Sequence, residues 1–162
     1  MMSLESVKNY LKQFNKDQDI IVSDKDTSTV YNAALAIGVT EGEIAKTLTF
    51  KVKDEPIVIV LAGDLKVDNH KYKEFFHQKA AMLTHDEALE VTGHEVGGVC
   101  PFAIPEGVKI YCDVSLKKYA YVYPACGSQN SYIKLTPEEI YEISHSDSWI
   151  DIAKSNEESL GA

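Results

Sequence analysis

Apolar residues recur along this chain with two periods. Leu4, Val7, Leu11 and Phe14, with Tyr10 beside them, follow the spacing of an amphipathic helix, and Ser3 stands where its N-cap belongs. Residues 19–23 read as a short strand. A second helix is predicted over 28–37, with Gly38 as its C-terminal stop. Thr40 and Glu43 have the spacing of a capping box, which predicts a short third helix ending near Lys46. Leu48, Phe50 and Val52 then alternate with Thr49, Lys51 and Lys53, the period of a half-buried strand. Asp54-Glu55-Pro56 reads as a turn, and the apolar run 57–62 as the more deeply buried hairpin partner.

Further along, Asp68 caps a predicted helix that carries Phe75 and Phe76, and 81–83 reads as a short strand. Thr84 and Glu87 make a second capping box, and Gly93 stops that helix. Residues 94–105, rich in Gly and Pro, read as an ordered loop. Strands are predicted at 108–112, 120–123 and 132–135. Thr136, Pro137 and Glu139 open a helix that runs to about Ser144, after which Trp149, Ile150 and Ile152 dock the tail on the core. Strands and helices do not alternate strictly. The predicted fold is therefore mixed α/β, with a curved, largely antiparallel, barrel-like sheet flanked by helices. The length of 162 residues suits a single domain spanning 1–162, and 155–162 alone reads as disordered.

Charge narrows the partners. The formal net charge is −9 and all 16 basic residues are lysine. Such a chain does not grip long nucleic acid by bulk charge, so no DNA partner is expected. RNA would have to be met by a local lysine patch, or held by its end. No apolar run approaches the ~20 residues of a membrane span, and the N-terminus lacks a signal-peptide core, so no membrane partner and a cytoplasmic location are expected. Cys100, Cys112 and Cys126 have no close pair spacing, so neither a disulfide framework nor a zinc site is expected. Nucleotide-binding fingerprints and defensible metal triads are missing, and no metal or cofactor is expected.

Three segments could carry chemistry. Lys46, in 44–48, stands at a predicted junction between helix and strand. There it could bind a phosphate or ribose hydroxyl, or move a proton if burial lowers its pKa. Gly97 and Gly98, in 96–102, free the backbone to approach a ligand and to aim amides at an anion or developing oxyanion. Residues 124–130 are small, polar and turn-prone and would leave room beside a pocket. Cys100 lacks a histidine partner at a telling spacing, His94 being a weak one. The five histidines are scattered, and His70 and His77, lying among Lys71, Lys73 and Lys79, read as surface residues.

Taken together, these stretches resemble the YbaK/EbsC family of aminoacyl-tRNA deacylases, related to the editing domain of prolyl-tRNA synthetases. The resemblance rests on 28–34 with Ile37-Gly38, on Ile44-Ala45-Lys46-Thr47-Leu48, on Gly97-Gly98-Val99-Cys100-Pro101-Phe102 and on Tyr123-Pro124-Ala125-Cys126-Gly127-Ser128. It implies a barrel-like α/β fold and hydrolysis of the ester of mischarged tRNA, of the Cys-tRNA(Pro) or Ala-tRNA(Pro) type, without a conventional nucleophile. Prolyl-tRNA synthetase is the partner it suggests. It maps catalytic roles onto Lys46, Gly97 and Gly98. Substrate contacts fall on Tyr31, Thr47, Val99, Cys100, Pro101, Ala125, Cys126, Gly127 and Ser128. Cys100 stands where the family often has serine and Ala103 where it often has glycine, which leaves the amino acid open. Two other readings stay open: a binding module for an aminoacyl-tRNA end or nucleotide that does not turn over, and a thiol enzyme using Cys100 or Cys126.

Overall fold

Local chemistry sets most of the helix ends. A computed structural model describes residues 3–155. Helix α1 (Ser3–Lys12) buries Val7 and Leu11. Ser3 is its first residue, and its hydroxyl is turned to the His94 ring instead of capping the helix. A single 3-10 turn (Asp17–Asp19) and strand β1 (Ile21–Val22) replace the longer strand predicted there. Helix α2 (Val30–Ile37) opens on the Thr29 hydroxyl and closes at Gly38, whose φ of +84° suits glycine.

The Thr40–Glu43 capping box forms, but it opens one 3-10 turn (Glu41–Glu43) instead of a helix reaching Lys46. Strand β2 (Ile44–Val52) starts at once, so Lys46 is a strand residue. The hairpin turn falls on Lys53 and Asp54, both at positive φ, and Glu55 and Pro56 already belong to β3 (Glu55–Ala62). Strand β4 (Leu65–Val67) leads to α3 (Asn69–Phe76), capped by the Asp68 carboxylate. The segment 81–83 makes one bridge, Met82 to Phe50, in place of the predicted strand. Helix α4 (His85–Thr92) carries the second capping box and ends at Gly93.

Strand β5 (Lys109–Asp113), a 3-10 segment (Val114–Lys118), short strands β6 (Tyr123–Pro124) and β7 (Ser131–Tyr132), and α5 (Pro137–Ile143) follow. Strands β8 (Ser148–Ile150) and β9 (Ala153–Ser155) end the described chain. Ser155, predicted disordered, therefore pairs with Leu65 of β4, and the rest of that expectation lies outside the described residues.

The architecture is the expected mixed α/β one: a curled half-barrel sheet flanked by helices. Its main sheet has the order β6-β2-β3-β5-β8. Antiparallel pairing joins β2 to β3, β1 to β7 and β4 to β9. In the main sheet, however, β6, β5 and β8 join in parallel, so that sheet is more mixed than the hairpin pattern predicted. Strand alternation divides the interior. Ala45 and Val60 face a cluster that takes in Val7, Leu11 and Phe102, whereas Phe50, Ile57 and Ile59 face Tyr72 and Phe76 of α3. A smaller cluster of Ala33, Ala34 and Ile44 seats α2 against the start of β2. The tail docks through Asp113, whose buried carboxylate accepts from the Ile152 amide at 2.8 Å.

Candidate functional site

The site grows from an unpaired stretch of strand. On its outer edge, β2 is met by β6 at Ile44 and Ala45. Among the described residues it is met again only where Leu83 N–H donates to the Thr49 carbonyl and Lys51 N–H donates to that of Ala81. Hydrogen-bonding groups of successive strand residues point to alternate edges. Thr49 and Lys51 point outward, so Thr47 does too, and its amide and carbonyl face the gap. The Thr47 hydroxyl is buried there without a hydrogen-bond partner.

Over this gap lies a cleft with about 910 Å³ of empty space, mouth included. One wall is the entry to α2, at Thr27, Ser28 and Thr29. Met82, Leu83 and His85 form the second, Val96, Gly97 and Val99 the third, and Tyr123, Ala125 and Tyr132 the fourth. Lys46 brings a cation and His85 an imidazole, and no carboxylate is among the lining residues described. A chain of net charge −9 thus keeps its acids out of this cleft, which suits a ligand carrying phosphate.

Lys46 lines the cleft while its ammonium donates to the Leu65 carbonyl of β4. Burial pulls its pKa below the ordinary lysine value, and Asp64 and Glu41 partly oppose that. The glycines divide. Gly97 (φ +90°) lines the cleft, and a Cβ there would come within 2.6 Å of the Ser28 Cβ, so this close approach to α2 needs glycine. Gly98 departs from its expected role. It is buried behind the wall, and its amide already donates to the Glu95 carbonyl at 2.9 Å. Its task is packing against Gly127 and Ser128. Among the described residues, no partner takes the Gly97 and Val99 amides.

Other sequence candidates are sorted in the same way. Thr47, Val99 and Ala125 reach the cleft beside Lys46 and Gly97. Tyr31 does not; it is exposed on the outer side of α2. Pro101 and Gly127 are buried outside the lining, and Ser128 bonds to Asn130 and Ser131. Cys100 and Cys126 are fully buried in the core cluster, and neither lines the cleft. Burial pushes the Cys100 thiol up to about 12 and raises that of Cys126 well above its ordinary value, so neither supplies a thiolate nucleophile. Ala103 has φ +57°, the left-handed region in which glycine is free of Cβ strain.

Two histidines take places that their sequence setting did not assign. His85 is exposed and lines the cleft. His94 is buried, and its Nε2 lies 2.8 Å from the Phe102 carbonyl. A carbonyl only accepts, so Nε2 carries the proton and Nδ1 accepts from the Ser3 hydroxyl. The ring thereby ties both ends of the 94–102 loop to α1, with the Cys100 sulfur 3.6 Å away. Burial lowers the His94 pKa below 6.5, with the Phe102 bond opposing. The unfolded chain takes up a proton near pH 6.5 that the folded loop refuses. This contribution is complete above that value and lost as pH falls below it. Between pH 7.5 and 5.5 the wild type should lose about 2–4 °C of Tm more than His94→Asn does. Parallel melting curves would show His94 unimportant.

The family profile described as aminoacyl-tRNA editing domain matches residues 24–143. A Bacillus subtilis (strain 168) protein, uncharacterized protein YwhH, is 49% identical over 154 residues, covering 94% of this chain and 98% of its own. A proline–tRNA ligase of Geobacillus sp. (strain WCH70) is 31% identical over 120 residues, covering 72% of this chain. The match spans 21% of that ligase's length. A solved structure described as a candidate trans-editing enzyme for prolyl tRNA synthetase shares the fold, with a TM-score of 0.84 at 24% identity, covering 94% of this chain and 97% of that one.

Proposed function

The chain belongs to the aminoacyl-tRNA editing domain family, and from that premise we propose that it is a trans-acting deacylase of mischarged tRNA(Pro). The ester removed is that of alanine or cysteine, and prolyl-tRNA synthetase is the enzyme whose errors it corrects. One observation carries the reading: an open, acid-free cleft over an unpaired strand edge, with Lys46 on its floor and free loop amides on its wall.

In this reading the terminal adenosine and its aminoacyl ester enter together. Lys46 turns its ammonium from the Leu65 carbonyl to a phosphate or ribose oxygen of the terminal nucleotide. Thr47 offers a main-chain donor, a main-chain acceptor and its unpartnered hydroxyl to the amino-acid part. Water attacks the ester carbonyl carbon, and the amides of Gly97 and Val99 meet the oxyanion that develops. Collapse breaks the bond to the ribose oxygen, which takes a proton and leaves as hydroxyl. With a cysteinyl ester the substrate's own thiol can attack instead, because the site works mainly by positioning.

Such a second sieve is needed because a synthetase pocket separates small side chains by only ~1–3 kcal/mol. The purified protein, incubated with a panel of mischarged tRNAs, should release free alanine or cysteine from tRNA(Pro) far faster than proline. Tight binding of the same tRNAs without release would replace the deacylase by a binding module.

A further inference from the structure

We propose that the outer face of the β6–β7 hairpin is a track for the unpaired nucleotides preceding the terminal adenosine. The proposal rests on the reading that the cleft takes the 3′ end of an RNA.

The geometry comes from the hairpin register. Val122 bridges Leu135, and Ala125 bridges Tyr132, which sets Tyr123 across from Lys134. Side chains alternate along both strands. Val122, Pro124, Ile133 and Leu135 are buried, while Tyr121, Tyr123, Tyr132 and Lys134 take the opposite face, with Tyr123 half-buried against the small cluster that seats α2. Tyr123 and Tyr132, with ring centres 6.4 Å apart, already form one wall of the cleft. Tyr121 lies two residues further along the same face and is 46% exposed. The Lys134 ammonium hangs 4.3 Å over its ring. An aromatic row therefore leaves the cleft and ends at a cation, and no carboxylate belongs to the row.

That combination is what a single strand of nucleic acid uses: π faces for successive bases and an ammonium for the backbone. Folding alone does not call for it, since an outward hairpin face in water can be built of small polar residues. It also answers the charge problem. A chain of net charge −9 needs a local surface to hold RNA, and this one adjoins the reacting end. When a strand arrives, Lys134 swings from the Tyr121 face to a phosphate and exposes that face to a base.

The test uses the full chain and two probes: 5′-labelled ACCA RNA, followed by fluorescence anisotropy, and adenosine 5′-monophosphate as unlabelled competitor. Wild type should bind ACCA at least about tenfold more tightly than the mononucleotide. Tyr121→Ala should weaken ACCA about tenfold and leave the mononucleotide unchanged, and Tyr121→Phe should restore binding. Lys134→Gln should weaken ACCA and reduce the salt slope by about 0.7. Wild-type ACCA affinity in Tyr121→Ala and Lys134→Gln, or an equal loss for both probes, overturns the track. Deacylation is read separately on mischarged tRNA. Missing turnover with the ACCA preference intact removes the reaction but keeps the track, and normal turnover with unchanged ACCA binding in both variants does the reverse.

Discussion

Gly98→Ala is expected to lower Tm by about 4–10 °C and to cost more than tenfold in kcat/KM, although it adds one methyl group. The new Cβ would stand 2.7 Å from the Gly127 carbonyl carbon and 2.8 Å from the Ser128 nitrogen. Both are backbone atoms and cannot rotate aside. Gly127 cannot retreat either, because a Cβ on it would be 2.6 Å from the Ser3 Oγ and 2.8 Å from the Ser3 carbonyl oxygen. Two loops and the start of α1 are thus stacked with no side chain between them. Overpacking of this kind typically costs about 1–3 kcal/mol. The loop can relieve it only by moving, and Gly97 and Val99 would move with it. A displacement near 1 Å of groups that position a reacting ester costs up to about a hundredfold in rate. Melting curves and deacylation kinetics of the variant check both halves. An unchanged Tm would mean that the loops part freely, and the account of Gly98 would then be wrong.

The same stacking marks the limit of what could be read from the residues in order. Signals within four residues were legible. The capping boxes at Thr40, Thr84 and Thr136 all form, and Gly38 and Gly93 end their helices. Lys46, Thr47, Gly97, Val99 and Ala125 do share a cleft. Errors arose where the partner is remote. Glu41–Glu43 has a helix start, yet pairing of β2 with β3 takes the chain from Ile44 onward, so the box caps a single turn. Strand β4 is three residues long, and its partner β9 begins at Ala153. Periodicity defines the face of a strand but not its neighbour, so the parallel joins of β6, β5 and β8 had no signature. His94 was legible only as a weak partner for Cys100, whose sulfur does lie 3.6 Å away, because another of its partners, Ser3, is 91 residues distant. Gly98 was given a donor's role by its loop composition, but a turn bond to Glu95 had already used the amide.

Lys46→Ala should reduce kcat/KM for deacylation by at least about a hundredfold, a loss of roughly 3 kcal/mol of transition-state stabilisation, while Tm changes little. Activity and stability separate because the ammonium's one hydrogen bond among the described residues is to the Leu65 carbonyl at a half-exposed position. Losing such a bond costs about 1 kcal/mol, and water can take the vacated place. The bound nucleotide has no such substitute, since Lys46 is the one lysine among the lining residues described. A pH profile separates a charge requirement from a merely structural one. If the protonated amine is what binds, activity falls as pH rises through its pKa, which burial has moved below the ordinary lysine value. Asp64→Asn removes a charge that favours the ammonium, so its basic limb should lie at still lower pH than that of wild type. Lys46→Ala should lack that limb altogether, leaving a low rate without this dependence on pH. Turnover by Lys46→Ala within about threefold of wild type would remove the ammonium from the reaction and leave the loop amides and the Thr47 edge to account for catalysis.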